Sequence, residues 1–193
     1  MTTATASTVG AEVSTPSPRR PRHLVGIDIG RRRDYAAAVH MVSRNHGATW
    51  RVVRAEQIPH SADYGDLASY AAALADDGAT VVVDATGVGA PVVERARELT
   101  IRPIWGATIH GGQVDRQRRG HDLYLSKAGL IARARRLLGE GRITISQRHG
   151  GDLLLYQLAQ LAPVRRRGRR PALEARQGHD DVALAWLVAT WMV

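Results

Sequence analysis

Short apolar runs separated by turn-forming residues predict the first strands of the chain. Residues 24–30 are apolar apart from Asp28, and the stretches 35–42 and 50–58 have a composition that favours strands. The last two flank Asn45-His46-Gly47, a sequence typical of a turn. The three segments therefore predict an antiparallel meander at the start of a sheet.

The spacing of apolar residues predicts a helix after the meander. Apolar residues recur at the spacing of one helix face across residues 62–77, and Gly78 ends the pattern. Residues 80–84 form a continuous apolar run, which is typical of a strand buried on both faces. The rest of the chain predicts helices over 91–99, 126–138 (with Ser126 as N-cap), 152–161 and 180–192, strands over 102–109 and 142–145, a polar loop or hairpin over 111–122 and a basic loop over 163–178. This order predicts an α/β fold with a central mixed sheet, an antiparallel meander and then parallel strands, flanked by helices.

Composition divides the chain into a tail and one domain. Residues 1–22 are rich in Thr, Ser, Ala and Pro and predict a disordered tail, and residues 23–193 predict a single folded domain. The 44% hydrophobic content of the 193 residues is that of a globular protein. No apolar run reaches the ~20 residues of a membrane span, and no signal peptide is recognisable at the N-terminus.

The charge balance points to a polyanionic partner. Lys and Arg number 27 against 18 Asp and Glu, and Lys127 is the only lysine, so the formal charge of +9 is carried almost entirely by arginine. Guanidinium groups bind phosphate in a bidentate manner. Cys is absent, so any metal ion must be held by oxygen or imidazole ligands, which suit hard cations.

Carboxylates occur at three places where surface charges are uncommon. Asp28 interrupts an apolar strand, Asp84 ends another, and Asp180-Asp181 open the last apolar helix. Asp180 has a structural alternative as a helix N-cap, and Asp84 as a cap of the following turn, whereas Asp28 has no local capping role. Carboxylates from two strands and a helix can converge at one end of a sheet, where clustered like charges are stabilised by divalent cations. Mg²⁺ or Mn²⁺ fits such a site, and a pair of ions would suit phosphodiester hydrolysis.

The order of these motifs resembles the RNase H-like (retroviral integrase) superfamily, and within it the nuclease domain of phage large terminase subunits. The resemblance covers residues 23–193. It is carried by the segments Gly26-Ile27-Asp28-Ile29-Gly30, Val83-Asp84-Ala85-Thr86-Gly87-Val88-Gly89, Ser126-Lys127-Ala128-Gly129-Leu130 and Gly178-His179-Asp180-Asp181-Val182-Ala183.

The resemblance implies a role for each of these acidic positions. Asp28, Asp84 and Asp181 would be the catalytic metal-binding triad, and Asp34 and Asp180 would be auxiliary ligands. His179 would orient a ligand or a phosphate, with an exposed position before the helix as its alternative. The alternative for Asp34 is to close a turn after Arg31-Arg32-Arg33. The implied activity is two-metal hydrolysis of duplex DNA, with Asp28 bridging both Mg²⁺ or Mn²⁺ ions and Asp84 and Asp181 holding one each.

In a phage setting the enzyme would cut genomes during packaging in the cytoplasm of a bacterial host. No Walker A sequence occurs, so the resemblance implies no ATP site here and a separate terminase ATPase chain, with a portal as a further partner. A Glu expected near residues 155–158 in such nucleases is replaced by Gln157.

Basic segments that lie in predicted loops near the carboxylates are expected to contact the DNA backbone. These residues are Arg31, Arg32, Arg33, Arg116, Arg118, Arg119, Arg165, Arg166 and Arg167. Lys127, at the start of a predicted helix, is a further candidate for a phosphate contact, with the helix start as its structural alternative. Aromatic residues make up only 5% of the chain, so base stacking is not expected to be the main mode of recognition. The expected binding is driven by the phosphate backbone and weakly sequence-specific.

Other functions are compatible with parts of the pattern. A RuvC-like junction resolvase would use the same acidic architecture, and a non-catalytic packaging module would use the basic surface alone. An actin-like phosphotransferase would account for the glycine-flanked Asp28 and Asp84 motifs, but it needs a second lobe and does not predict Asp180-Asp181.

Overall fold

The computed structural model describes residues 21–30, 35–112, 115–117, 120–164, 172–175 and 180–193. Its elements in chain order are β1 (Arg22–Asp28), β2 (Ala36–Ser43), β3 (Trp50–Ile58), α1 (Tyr64–Asp76), β4 (Thr80–Asp84), α2 (Gly89–Leu99), β5 (Ile104–His110), β6 (Arg116–Gln117), β7 (Asp122–Ser126), α3 (Lys127–Gly139), β8 (Ile143–Ile145), α4 (Gly151–Gln160), β9 (Leu161–Val164), β10 (Ala172–Ala175) and α5 (Asp181–Thr190).

The central sheet has eight strands in the order β6-β7-β5-β4-β1-β2-β3-β8. β1, β2 and β3 form the predicted antiparallel meander. On the other side of β1, strands β4, β5 and β7 run parallel to it, and β8 runs parallel to β3 at the far edge. The predicted mixed sheet, an antiparallel meander followed by parallel strands and flanked by helices, is confirmed.

Helices cover both faces of the sheet. α1 and α2 pack on one face around the apolar side chains of β1 and β4, including Val25 and Val83. α3, α4 and α5 pack on the other face, where Leu24 and Val82 lie in the same core as Trp186. Almost every residue of α5 is buried, which explains why its sequence is apolar all round.

Local capping sets the helix starts. The side chain of Ser126 accepts a hydrogen bond from the Gly129 amide at 3.1 Å, which confirms its predicted role as the N-cap of α3. α1 begins two residues later than predicted, at Tyr64, because Asp63 and Asp66 form a reciprocal capping box.

The basic loop predicted over residues 163–178 is wrong in part. β9 and β10 pair antiparallel as a separate two-stranded sheet on either side of the arginine-rich stretch. Each strand has only four residues, and pairing satisfies backbone groups that a loop would leave to water. The predicted tail, apart from its last two residues, lies outside the described residues, and β1 begins at Arg22. No helix in the described ranges is long and apolar enough to span a bilayer.

Candidate functional site

Asp28 and Asp84 lie side by side at the carboxyl ends of neighbouring parallel strands. The register pairs Ile27 with Val83, so the two aspartates that follow are adjacent. Each is the last residue of its strand. Their exposed fractions are only 8% and 7%. Two buried carboxylates on adjacent strands form the base of the site.

Helix α5 adds a third buried carboxylate. It packs across β1 at Gly26, where a β-carbon would lie 1.9 Å from the carbonyl oxygen of Ala185. Asp181 precedes Ala185 by one helical turn, and Gly26 precedes Asp28 by two residues on the same face of β1. The close contact therefore holds Asp181, which is 5% exposed, over the strand carboxylates.

Asp180 takes the N-cap position of α5, but its side chain makes no capping hydrogen bond. Its carboxylate instead accepts a hydrogen bond from the ammonium of Lys127 at 3.2 Å. Lys127 was predicted to contact DNA; the structure places it at the start of α3, three-quarters buried against the acidic cluster. Burial raises the pKa of Asp84, and the positive charge of Lys127 opposes part of that increase.

The cluster is electrostatically strained. Burial raises the pKa of Asp28 well above its usual range, and repulsion from Asp84, Asp181 and Asp180 raises it further. Burial also raises the pKa of Asp84, while hydrogen bonds from Thr86 oppose that increase. The Thr86 amide donates to Asp84 Oδ1 at 2.8 Å, so the predicted turn-capping role of Asp84 is present as well. Buried like charges of this kind are stabilised by a cation.

The donor chemistry fits a hard divalent ion, because all four acidic side chains offer carboxylate oxygens. Within the described ranges, no three His, Cys, Asp or Glu side chains are arranged closely enough to hold a metal ion as they stand. After burial and repulsion, a proton shared with Asp84 also contributes to the raised pKa of Asp28. Binding of an ion by both carboxylates would displace that proton.

Two supporting residues position the acidic side chains. Gln157 of α4 is 3% exposed, and its side-chain oxygen accepts a hydrogen bond from the Ala183 amide at 3.0 Å in the first turn of α5. The sequence identified Gln157 only as the residue that stands where a Glu is expected, and it did not predict the contact with Ala183. The hydroxyl of Thr86 accepts a hydrogen bond from the Ile109 amide at 2.9 Å and ties the turn after β4 to β5.

Most of the other predicted site residues fall outside the part of the chain that the structure describes. These are Asp34, Arg31, Arg32, Arg33, Arg118, Arg119, Arg165, Arg166, Arg167 and His179. Arg116 lies in β6, which pairs with β7 in a short hairpin at the edge of the sheet, and its side chain is not described. The roles of these residues stay predictions.

The sequence matches no protein-family model and no curated protein. Solved structures do share the fold. The large terminase nuclease from thermophilic phage G20c with bound magnesium superposes with a TM-score of 0.66 at 20% identity, over 89% of this chain and 81% of that chain. The nuclease domain of the large terminase of bacteriophage SPP1 with bound Mn gives a TM-score of 0.56 at 15% identity, over 89% of this chain and 86% of that chain.

The large terminase of bacteriophage HK97 gives a TM-score of 0.56 at 13% identity. The match covers 92% of this chain but only 40% of that chain. The fold is therefore the RNase H-like fold of large terminase nuclease domains, as the resemblance predicted.

Proposed function

We propose that this chain is a metal-dependent endonuclease of the terminase type that cuts duplex DNA during genome packaging. The observation that carries the proposal is the meeting of three buried carboxylates, Asp28, Asp84 and Asp181, from the ends of two strands and the start of α5. The same fold occurs in terminase nucleases solved with bound magnesium and with bound Mn.

Asp28, Asp84 and Asp181 are the residues that would hold the ions, for which we propose a pair of Mg²⁺ or Mn²⁺, and Asp34 and Asp180 would assist. The chemistry supplied by bound ions is polarisation of the phosphodiester and stabilisation of its leaving oxygen. The chain itself orients the carboxylates. Thr86 fixes Asp84, the packing of α5 on Gly26 fixes Asp181, and Lys127 fixes Asp180.

Duplex DNA is the substrate that the charge of the chain favours. A formal charge of +9 in an arginine-rich chain suits phosphate contacts that do not depend on base sequence. The predicted arginine segments and His179 would lie along the DNA backbone. A separate ATPase chain and a portal would complete the packaging assembly in the cytoplasm of a bacterial host.

Plasmid cleavage tests the proposal. Supercoiled DNA is incubated with the full chain in Mg²⁺, in Mn²⁺ or in a chelator, and the wild type is compared with Asp84→Asn. We expect metal-dependent nicking and linearisation that fall by at least about 100-fold in the variant, because a metal ligand is lost.

Asp152→Asn is the matched control, since Asp152 is an exposed aspartate in the first turn of α4. Its cleavage rate should equal that of the wild type. A wild type that cuts with neither metal, or an Asp84→Asn variant that cuts at the wild-type rate, would refute the proposal.

A further inference from the structure

A β-bulge in β3 places two arginines on the same face of the sheet. His40 of β2 pairs with Arg54, and the next residue, Met41, pairs with Val52, so Val53 is an extra residue in β3. Strict alternation would put Arg51 and Arg54 on opposite faces. With the bulge both are exposed. Bulges commonly re-aim side chains in this way next to functional surfaces.

The opposite face of β3 is buried. Trp50, Val52 and Ala55 pack in the core under α5, so Arg51 and Arg54 point away from that core. Arg51 also pairs with Thr144 of the edge strand β8. The two arginines therefore belong to a solvent-facing surface at the meander edge of the sheet.

Three adjoining cavities follow this surface, with volumes of about 470, 420 and 390 Å³. The first and third share Arg51, and the second and third share Val53 and His149. We call their common surface the β3 groove. Its basic lining residues are Arg44, Arg51, Arg54, Arg148 and His149.

The positive charge of the β3 groove is largely uncompensated. Arg44, Arg51 and Arg148 are exposed, and none forms an ion pair with another described residue. Among the described residues that line the cavities, the one carboxylate is Glu56, which pairs with Arg54. Asn45, Thr49 and Thr144 add neutral hydrogen-bond donors to the lining.

This combination suits phosphate groups. Guanidinium forks bind phosphate oxygens in a bidentate manner, and amide and hydroxyl side chains commonly add contacts to the sugar-phosphate backbone. Because Val53 is an extra residue, Arg51 and Arg54 face positions only two residues apart on β2. Their separation along the strand is therefore roughly 7 Å, which corresponds to about two nucleotide steps of a duplex. A row of phosphates is a better match to this spacing than the scattered carboxylates of an acidic protein.

The β3 groove is separate from the acidic cluster. Gly26, and with it Asp28, lies on the sheet face that α5 covers, whereas Arg51 and Arg54 point to the other face. The sheet therefore lies between these two arginines and the carboxylates.

We infer that the β3 groove is a second binding surface for the phosphate backbone of duplex DNA, distinct from the site of cleavage. The inference rests on the proposed function only in taking nucleic acid as the polyanion. It adds a surface that holds DNA away from the carboxylates.

The test is binding of a short fluorescent duplex to the full chain in a chelator, followed by anisotropy over a range of salt concentrations. For Arg51→Glu/Arg148→Glu we expect the Kd to rise by at least about 10-fold and the salt slope to fall by about 2, since two phosphate contacts are lost. Arg51→Gln/Arg148→Gln should give the same change in slope without charge reversal.

Arg102→Glu/Arg135→Glu is the matched control, because both arginines are exposed, lie outside the β3 groove and give the same change in net charge. Its Kd should change less than about 3-fold. Circular dichroism melting of each variant establishes that it is folded.

The outcomes for the groove and for the nuclease are separable. If the wild type cuts no plasmid but the groove variants still lose DNA affinity and the control does not, the proposed nuclease fails and the β3 groove stands. If the groove variants bind DNA like the wild type, or if the control loses affinity equally, the inference is overturned. An acidic protein would then be the partner to consider for this surface.

Discussion

The carbonyl oxygen of Ala185 lies directly over Gly26, so that a β-carbon at position 26 would come within 1.9 Å of it. A hydrogen atom is the only side chain that this contact allows. Because α5 carries Asp181 and β1 carries Asp28, the same contact fixes the distance between helix and strand carboxylates.

Gly26→Ala should therefore damage both stability and the site. The added methyl group meets backbone atoms of α5, and overpacking of this kind costs about 1–3 kcal/mol of unfolding free energy. We also expect weaker Mg²⁺ binding, because Asp181 moves with the helix. Urea unfolding and calorimetric titration measure the two effects.

Gly139→Ala is the control for that change, since it adds the same methyl group in α3 with no atom within 4 Å. It should leave stability unchanged or slightly increased, because Ala favours a helix more than Gly. If Gly26→Ala were as stable as Gly139→Ala, the close packing of α5 on β1 would be contradicted.

Gln157→Leu should destabilise the start of α5. The substitution removes the acceptor of the buried Ala183 amide, and an unsatisfied buried donor costs about 1–3 kcal/mol. Gln157→Glu keeps an acceptor at this position and should cost less. Urea unfolding midpoints of the two variants test the prediction. Gln147→Leu is the control, because Gln147 is exposed. Equal midpoints for Gln157→Leu and Gln147→Leu would contradict the prediction.

Asp28→Asn should stabilise the protein in the absence of metal and remove the stabilisation that metal provides. In a chelator we expect a higher melting temperature than that of the wild type, because repulsion from Asp84, Asp181 and Asp180 is reduced while an amide can still donate to Asp84. Added Mg²⁺ or Mn²⁺ should raise the melting temperature of the wild type but not of the variant. Differential scanning calorimetry of both proteins with and without metal tests this prediction. An equal rise in melting temperature for the wild type and for Asp28→Asn would rule out Asp28 as a ligand.

Acid should destabilise the protein through a polar cluster on the other face of the sheet. His40, which is 8% exposed, contacts Tyr70 Oη at 3.0 Å and His23 at 3.3 Å. Burial lowers the pKa of His40, and the neighbouring His23 lowers it further, although Glu56 opposes both effects. Its neutral form is therefore favoured in the folded state.

The unfolded chain takes up this proton more readily than the folded chain. Unfolding free energy is therefore lost as the pH falls from 6.5, the ordinary pKa of histidine, towards the lower pKa of His40 in the folded state. Urea midpoints measured at about pH 8 and about pH 5.5 should show this loss. The loss should be smaller in His40→Gln and unchanged in the exposed His121→Gln. An identical pH response in wild type and His40→Gln would contradict the assignment.

Local patterns in the sequence predicted most of the fold. An Asp within or at the end of an apolar strand is visible without a structure, and parallel strands bring such residues to the same edge. The structure places Asp28, Asp84 and Asp181 together, although their role as metal ligands stays a prediction. The fold itself is confirmed by the solved terminase nucleases.

The features that escaped prediction depend on contacts between distant parts of the chain. The bulge at Val53 is set by how β3 pairs with β2, and alternation within β3 alone would place Arg54 wrongly. The contact of Lys127 with Asp180 joins the first turn of α3 to the start of α5. The partner of Gln157 lies on another helix, so no local pattern distinguishes this residue from a surface glutamine.

The order of the elements also governs when the acidic cluster can exist. Asp28 and Asp84 are synthesised early, in β1 and β4, whereas Asp181 arrives with α5, the last helix in the order of synthesis. A nascent chain that has folded its meander and its central strands still lacks the third carboxylate and the helix that covers Gly26. A chain that ends before α5 therefore lacks the complete acidic cluster, and under the proposed function it would not cut DNA.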